Sequence, residues 1–169
     1  MDAISKQIIW QQFGAAIDML ENGLVDCPEK VWGDRSKKPQ YWYTVFHTLF
    51  WLDYYLSQPS DKFTPPAPFG LEEMDPAGVL PDRVYTKDEL LTYLKFGREK
   101  CRTIIANLTE EKAQQRIKSG WMDFSKVELL IYTMRHVQHH AGQLYMMLRQ
   151  SIDSAPRWVG TTKVKLNGD

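Results

Sequence analysis

An excess of charge of either sign is missing from this chain: 21 Lys and Arg balance 21 Asp and Glu over 169 residues. No block of like charge stands out. This removes the long-range positive field that draws a protein to nucleic acid or to an anionic membrane, so neither is expected as a partner. Cysteine is scarce as well. Cys27 and Cys101 lack metal-type spacing, and the pair reads as reduced, structural thiols of a cytoplasmic protein. No apolar run is long enough to span a bilayer; the longest, Val45 to Leu56, is broken by His47 and Asp53. The first residues, with Asp2 and Lys6, lack the apolar stretch of a secretion signal. Repeats and low-complexity tracts are absent. The expectation is one folded, cytoplasmic domain, large enough to bury a core without staples.

What is present is helical periodicity. Ile4, Ile8, Phe13, Ile17 and Leu20 mark a first long helix over 3–22, with Asn22-Gly23 as its C-terminal cap. Pro28 can open a short turn in the connector that follows. Residues 40–57 form a second long helix. Twelve of the sixteen residues from Tyr41 to Leu56 are aromatic or aliphatic, so this helix needs cover on several sides, from its neighbours, a loop or a second subunit. Residues 58–85 then hold six of the nine prolines. They also carry Phe63, Phe69 and Tyr85, too much apolar surface for a solvated linker, so they read as an ordered strap over the body.

Thr86 with Glu89, and Ser125 with Glu128, have the spacing of capping boxes. They open a third long helix to about residue 107 and a fourth over 126–150, with a short helix between them closed by Ser119-Gly120. Strand signal is slight. The expected fold is all-α, an antiparallel four-helix bundle over residues 1–152 with a long proline-rich connection between its second and third helices. The tail, 153–169, is expected to pack on the bundle through Trp158.

Three of the four histidines, His136, His139 and His140, fall within five residues. On a helix His136 and His140 share a face, about 6 Å apart along the axis. That face also carries Leu129, Tyr132, Thr133, Leu144 and Met147, and His47 shares its own with Tyr43, Phe50, Trp51 and Tyr54. Both sets point inward. Two imidazoles at this spacing, with a third from a neighbouring helix, can hold a divalent ion and leave one side open. The same spacing is also met by ordinary buried histidines bonded to a Thr, a Tyr or a carbonyl. His139 points away from the pair and reads as a rim or interface residue; Arg135 reads first as a solvated cation beside the site, with pairing to a carboxylate or holding an anionic substrate as the alternative.

The whole chain, from about residue 3 to 160, resembles the DinB/YfiT-like family of metal-dependent enzymes. The resemblance lies in His47 within Val45-Phe46-His47-Thr48-Leu49-Phe50-Trp51 and in the His-x-x-x-His-x-Gly-Gln run from His136 to Gln143. Weaker parts are the connector Cys27-Pro28-Glu29-Lys30-Val31-Trp32 and the tail Pro156-Arg157-Trp158. It implies a four-helix bundle, commonly a homodimer, with His47, His136 and His140 holding a divalent metal. Nickel or zinc is implied first, with manganese or iron as further candidates. It also implies a small-molecule substrate and a low-molecular-weight thiol, because relatives include bacillithiol-type S-transferases and a mycothiol-dependent isomerase.

An open three-histidine ion can activate a thiol for addition to an electrophile, or water for hydrolysis. No carboxylate is evidently placed as a general base: Glu128 lies two turns before His136, and Asp53 points off the His47 face. Trp51 and Tyr132 read as core packing or as pocket lining. The competing readings are a non-catalytic metal scaffold that ties two helices together, and a partner-binding module that uses the aromatic surface around Trp42 and Trp51.

Overall fold

The computed structural model describes residues 1–57, 59 and 62–167. Four long helices dominate: α1 (Ala3–Asp26), α3 (Tyr41–Leu56), α4 (Lys87–Ala106) and α6 (Lys126–Ile152). Short helices α2 (Glu29–Trp32) and α5 (Glu110–Gln114) lie in the connections. Their starts are chemically defined. The Asp2 carboxylate caps α1, and the boxes Thr86/Glu89 and Ser125/Glu128 cap α4 and α6 with both reciprocal bonds made. Helices α1 and α3 each pack on α4 and on α6. Thus α6, with three histidines, lies directly against α3, with the fourth.

Helix α1 runs a turn past Gly23. The glycine is not a cap: its missing side chain admits the Tyr145 ring, 3.3 Å from where a Cβ would stand, and its carbonyl accepts a 2.7 Å bond from the Tyr41 hydroxyl. A second difference lies beyond α5, where a β-hairpin replaces the helical end expected there. Strands β1 (Arg116–Ser119) and β2 (Met122–Ser125) pair antiparallel with Ser119 opposite Met122. The two-residue turn is Gly120-Trp121, and Gly120 takes the left-handed conformation, φ 55°, that such a tight turn asks of a glycine.

The apolar surface of α3 is covered by the segment that follows it. Phe63 packs edge-on against Phe50 and Tyr54, and Tyr85 against Trp42 and Phe46; Phe69 stacks on Phe46 and Tyr93. Trp42 is fully buried, which removes it from any partner-binding surface. Leu71, Met74, Val79 and Leu80 remain exposed on the outer side of the segment.

The tail follows α1, though not through Trp158, which is 70% exposed. The Trp10 indole donates to the Val164 carbonyl at 2.7 Å, Thr162 N–H to the Gln11 carbonyl, and the Gln12 amide to the Gly160 carbonyl. Gly14 permits the approach, because a Cβ there would stand 2.5 Å from Thr162 Cγ2.

Asp53, 2% exposed, faces away from His47 and serves the α3–α4 contact. It accepts from Lys100 Nζ at 2.6 Å and from the Tyr93 hydroxyl at 3.0 Å. Removing one partner of such a buried pair strands the other charge. Asp53→Ala is expected to lower unfolding free energy by about 3 kcal/mol in urea titration, whereas a loss under about 1 kcal/mol would show the pair to be solvated.

Candidate metal centre

His47 projects from the middle of α3, and His136 and His140 project from successive turns of α6. One ring nitrogen from each lies within 4.8 Å of the other two. Ring centroids are 4.5 Å apart for His136 and His140, 4.7 Å for His47 and His140, and 5.4 Å for His47 and His136. Among the described residues no fourth His, Cys, Asp or Glu joins this group.

Each outer contact favours a metal-binding tautomer. His47 Nδ1 lies 2.6 Å from Glu73 Oε2, so it carries the proton and donates, leaving the Nε2 lone pair free. His140 Nδ1 donates in the same way to Gln143 Oε1 at 2.7 Å. His136 Nε2 and His140 Nε2 face each other at 3.1 Å. Two nitrogens each held about 2.0–2.1 Å from one ion at a near-tetrahedral angle stand about 3.3 Å apart. The His136 Nδ1 atom is buried without a partner. Facing lone pairs repel unless a proton or a cation sits between them, and the donor set is all imidazole. The residues therefore fit a divalent transition-metal ion.

Glu73 could not be picked out from sequence. It lies in a single 3-10 turn, Glu72–Met74, of the proline-rich segment, and its side chain is 3% exposed. Besides His47 it accepts from the Trp51 indole at 2.8 Å. Burial works to raise its carboxyl, but the hydrogen bond from His47, with smaller help from Tyr43 and Trp51, holds it below the usual range. It stays a carboxylate. A ligating histidine backed by a carboxylate is the common outer arrangement of such sites. His139 also has a place in the network rather than a bare rim position: the Gln143 amide that accepts from His140 donates to His139 Nε2 at 3.1 Å.

Burial, then the neighbouring imidazoles of His140, His47 and His139, push His136 down to about 3. Burial likewise pushes His140 down to about 4, against the opposing effect of its bond to Gln143. Both are neutral at pH 7, the form that binds metal. Folded, they take up protons less readily than unfolded, where the ordinary value is 6.5. The stability they permit is complete above about pH 6.5 and is lost as the pH falls toward 4, because the unfolded state is protonated first. The thermal midpoint of the metal-free chain is expected to be flat above pH 7 and to drop below 6.5, with a shallower drop in the His136→Ala, His140→Ala double variant. An equally steep drop in that variant would place the titration elsewhere.

The cysteines stand apart from this chemistry. Cys27 is 1% exposed and Cys101 fully buried. Burial pushes the Cys27 thiol up to about 12, with Lys87 pulling the other way, and raises Cys101 well above its ordinary value. Neither is a nucleophile.

The resemblance carried by the histidine motifs has a counterpart in a family comparison. Residues 82–156 match the DinB family. The matched span runs from before α4 to the start of the tail and includes His136, His140 and Gln143. It stops short of His47 and Glu73, whose place in the centre rests on the geometry above. Comparison with curated proteins and with solved structures finds no match. In this DinB-like chain no helix is long and apolar enough to cross a membrane, within the described residues.

Proposed function

We propose that this DinB-like chain is a metal-dependent enzyme, with His47, His136 and His140 holding one divalent ion, nickel or zinc before manganese or iron. The reaction is the joining of a low-molecular-weight thiol to an electrophile. The observation that carries the reading is the convergence of three imidazoles, two of them held from outside by Glu73 and Gln143, without a fourth protein ligand among the described residues, the arrangement of catalytic rather than structural sites. When bound, the ion lowers the pKa of a thiol or a water brought to its open side. Glu73 orients His47 and Gln143 orients His140. Tyr55 packs edge-on against both His136 and Tyr132, and Trp51 lies beside His47, so aromatic walls limit water around the group. With Cys27 and Cys101 buried and protonated, a reacting thiol comes from outside the chain. The four long helices we read as an antiparallel bundle, with the centre between its second and fourth members.

The test is conjugation of monochlorobimane to cysteine or glutathione, where a C–S bond forms and chloride and a proton leave. The nickel- or zinc-loaded chain is expected to accelerate it over the metal-free chain. Metal-dependent cleavage of p-nitrophenyl esters without thiol would assign a hydrolase instead. Stoichiometric metal with neither activity would leave an ion that only ties α3 to α6.

A further inference from the structure

His136 borders a second feature. An open cleft of about 600 Å³ runs from it across the outer face of α6 to α1 and the tail. Its floor is Ala15 and Ala16 of α1, whose short side chains leave the space, and the far wall is the tail at Trp158. That wall is held in place by the bonds from Trp10, Gln11 and Gln12 described above. The volume is that of a small-molecule site.

The chemistry of the lining is one-sided. None of its residues is acidic, although the chain as a whole balances its charges. Arg135 opens onto it, exposed, and among the described residues makes no hydrogen bond or ion pair with any carboxylate. His139 stands one turn on, at the same wall. The flat faces are Tyr132, already braced by Tyr55, Phe124 and Trp121, and the 70% exposed indole of Trp158. An unpaired guanidinium offers a planar fork to a carboxylate, and two aromatic walls favour a flat apolar body.

We infer that the cleft between α1, α6 and the tail binds a small organic carboxylate with a planar apolar body, its anionic end on Arg135 and its other end toward His136. The cleft thus selects the substrate of the neighbouring centre. That role rests on the enzymatic reading, while the binding itself does not.

The probes are 2-naphthoate and its neutral counterpart 2-naphthamide, titrated calorimetrically into the full chain with and without one equivalent of zinc. Naphthoate is expected to bind at least tenfold more tightly than naphthamide. Arg135→Gln should erase that preference, and Trp158→Ala should weaken both probes severalfold. Both side chains are exposed, and circular dichroism with zinc stoichiometry checks that the variants keep the fold and the centre. Equal binding of the two probes, no binding of either, or an unchanged naphthoate affinity in Arg135→Gln would overturn the inference. If the chain holds no zinc but keeps the naphthoate preference, the cleft stands and the metal reading fails. Zinc held without any preference for naphthoate overturns the cleft and keeps the centre.

Discussion

His136→Ala is expected to abolish high-affinity metal binding while leaving the metal-free fold at least as stable as the original. Apparent free energies of about 10–16 kcal/mol for zinc at four-ligand sites put each ligand at about 3 kcal/mol or more, a factor of over about 100 in Kd. The metal-free consequence has the opposite sign. His136 has an orphaned buried Nδ1, and its Nε2 is partnered only by the His140 imidazole at 3.1 Å, so the side chain is half satisfied without an ion. Metal at about 1,000 times its Kd stabilises the fold by about 4 kcal/mol. For a chain of this size that is a rise of about 10 °C in thermal midpoint. The original chain should show this rise with nickel or zinc and His136→Ala should not, while their metal-free midpoints stay close. A variant that keeps the rise would remove His136 from the ligand set. One that simply unfolds would make the residue a packing element.

The second large effect is expected at Glu73. Glu73→Ala leaves the His47 Nδ1–H and the Trp51 indole N–H without their acceptor, and His47 is then free to turn or change tautomer. Losses of outer partners of this kind cost about 10–100-fold in metal affinity, which competition against a chelator of known affinity measures. Glu73→Gln keeps an acceptor oxygen and should recover part of the loss. A general packing role would lower the thermal midpoint without changing the affinity. Because Glu73 belongs to the segment between α3 and α4, metal should also slow amide exchange around Glu72–Met74. Unchanged exchange there would separate the segment from the centre.

Legibility follows the range of each interaction. The two capping boxes depend on residues three apart and can be read directly. So can the pairing of His136 with His140, which needs only helical spacing. His47 lies 89 positions before His136, and no periodicity joins them; the family resemblance supplies that link, and the packing of α3 on α6 realises it. Glu73 is beyond reach because a proline-rich segment has no period to say which way a side chain points. Gly23 looks like a cap because a glycine at a helix end and one against a tyrosine ring are identical in sequence. The hairpin at 116–125 hides in four-residue strands whose outward Arg116, Lys118 and Asp123 resemble a solvated helical turn. The Gly120-Trp121 turn is the signal that could reveal it. Trp158 reads as an anchor because of its size, yet the tail docks through backbone groups, Thr162 and the buried Leu166, a single aliphatic residue in a polar stretch that gives no periodic signal.

Three imidazoles holding one divalent ion with a side left open is a statement about a coordination shell. X-ray absorption at the metal edge, on chain loaded with one equivalent of zinc or nickel, observes that shell itself. One tightly held ion per chain is expected, with three imidazole nitrogens at about 2.0–2.1 Å and remaining light atoms that a small thiol replaces by sulfur. His47→Ala should leave two imidazoles. Failure to retain metal, or a closed shell of four protein ligands that added thiol does not change, would contradict an open three-histidine centre.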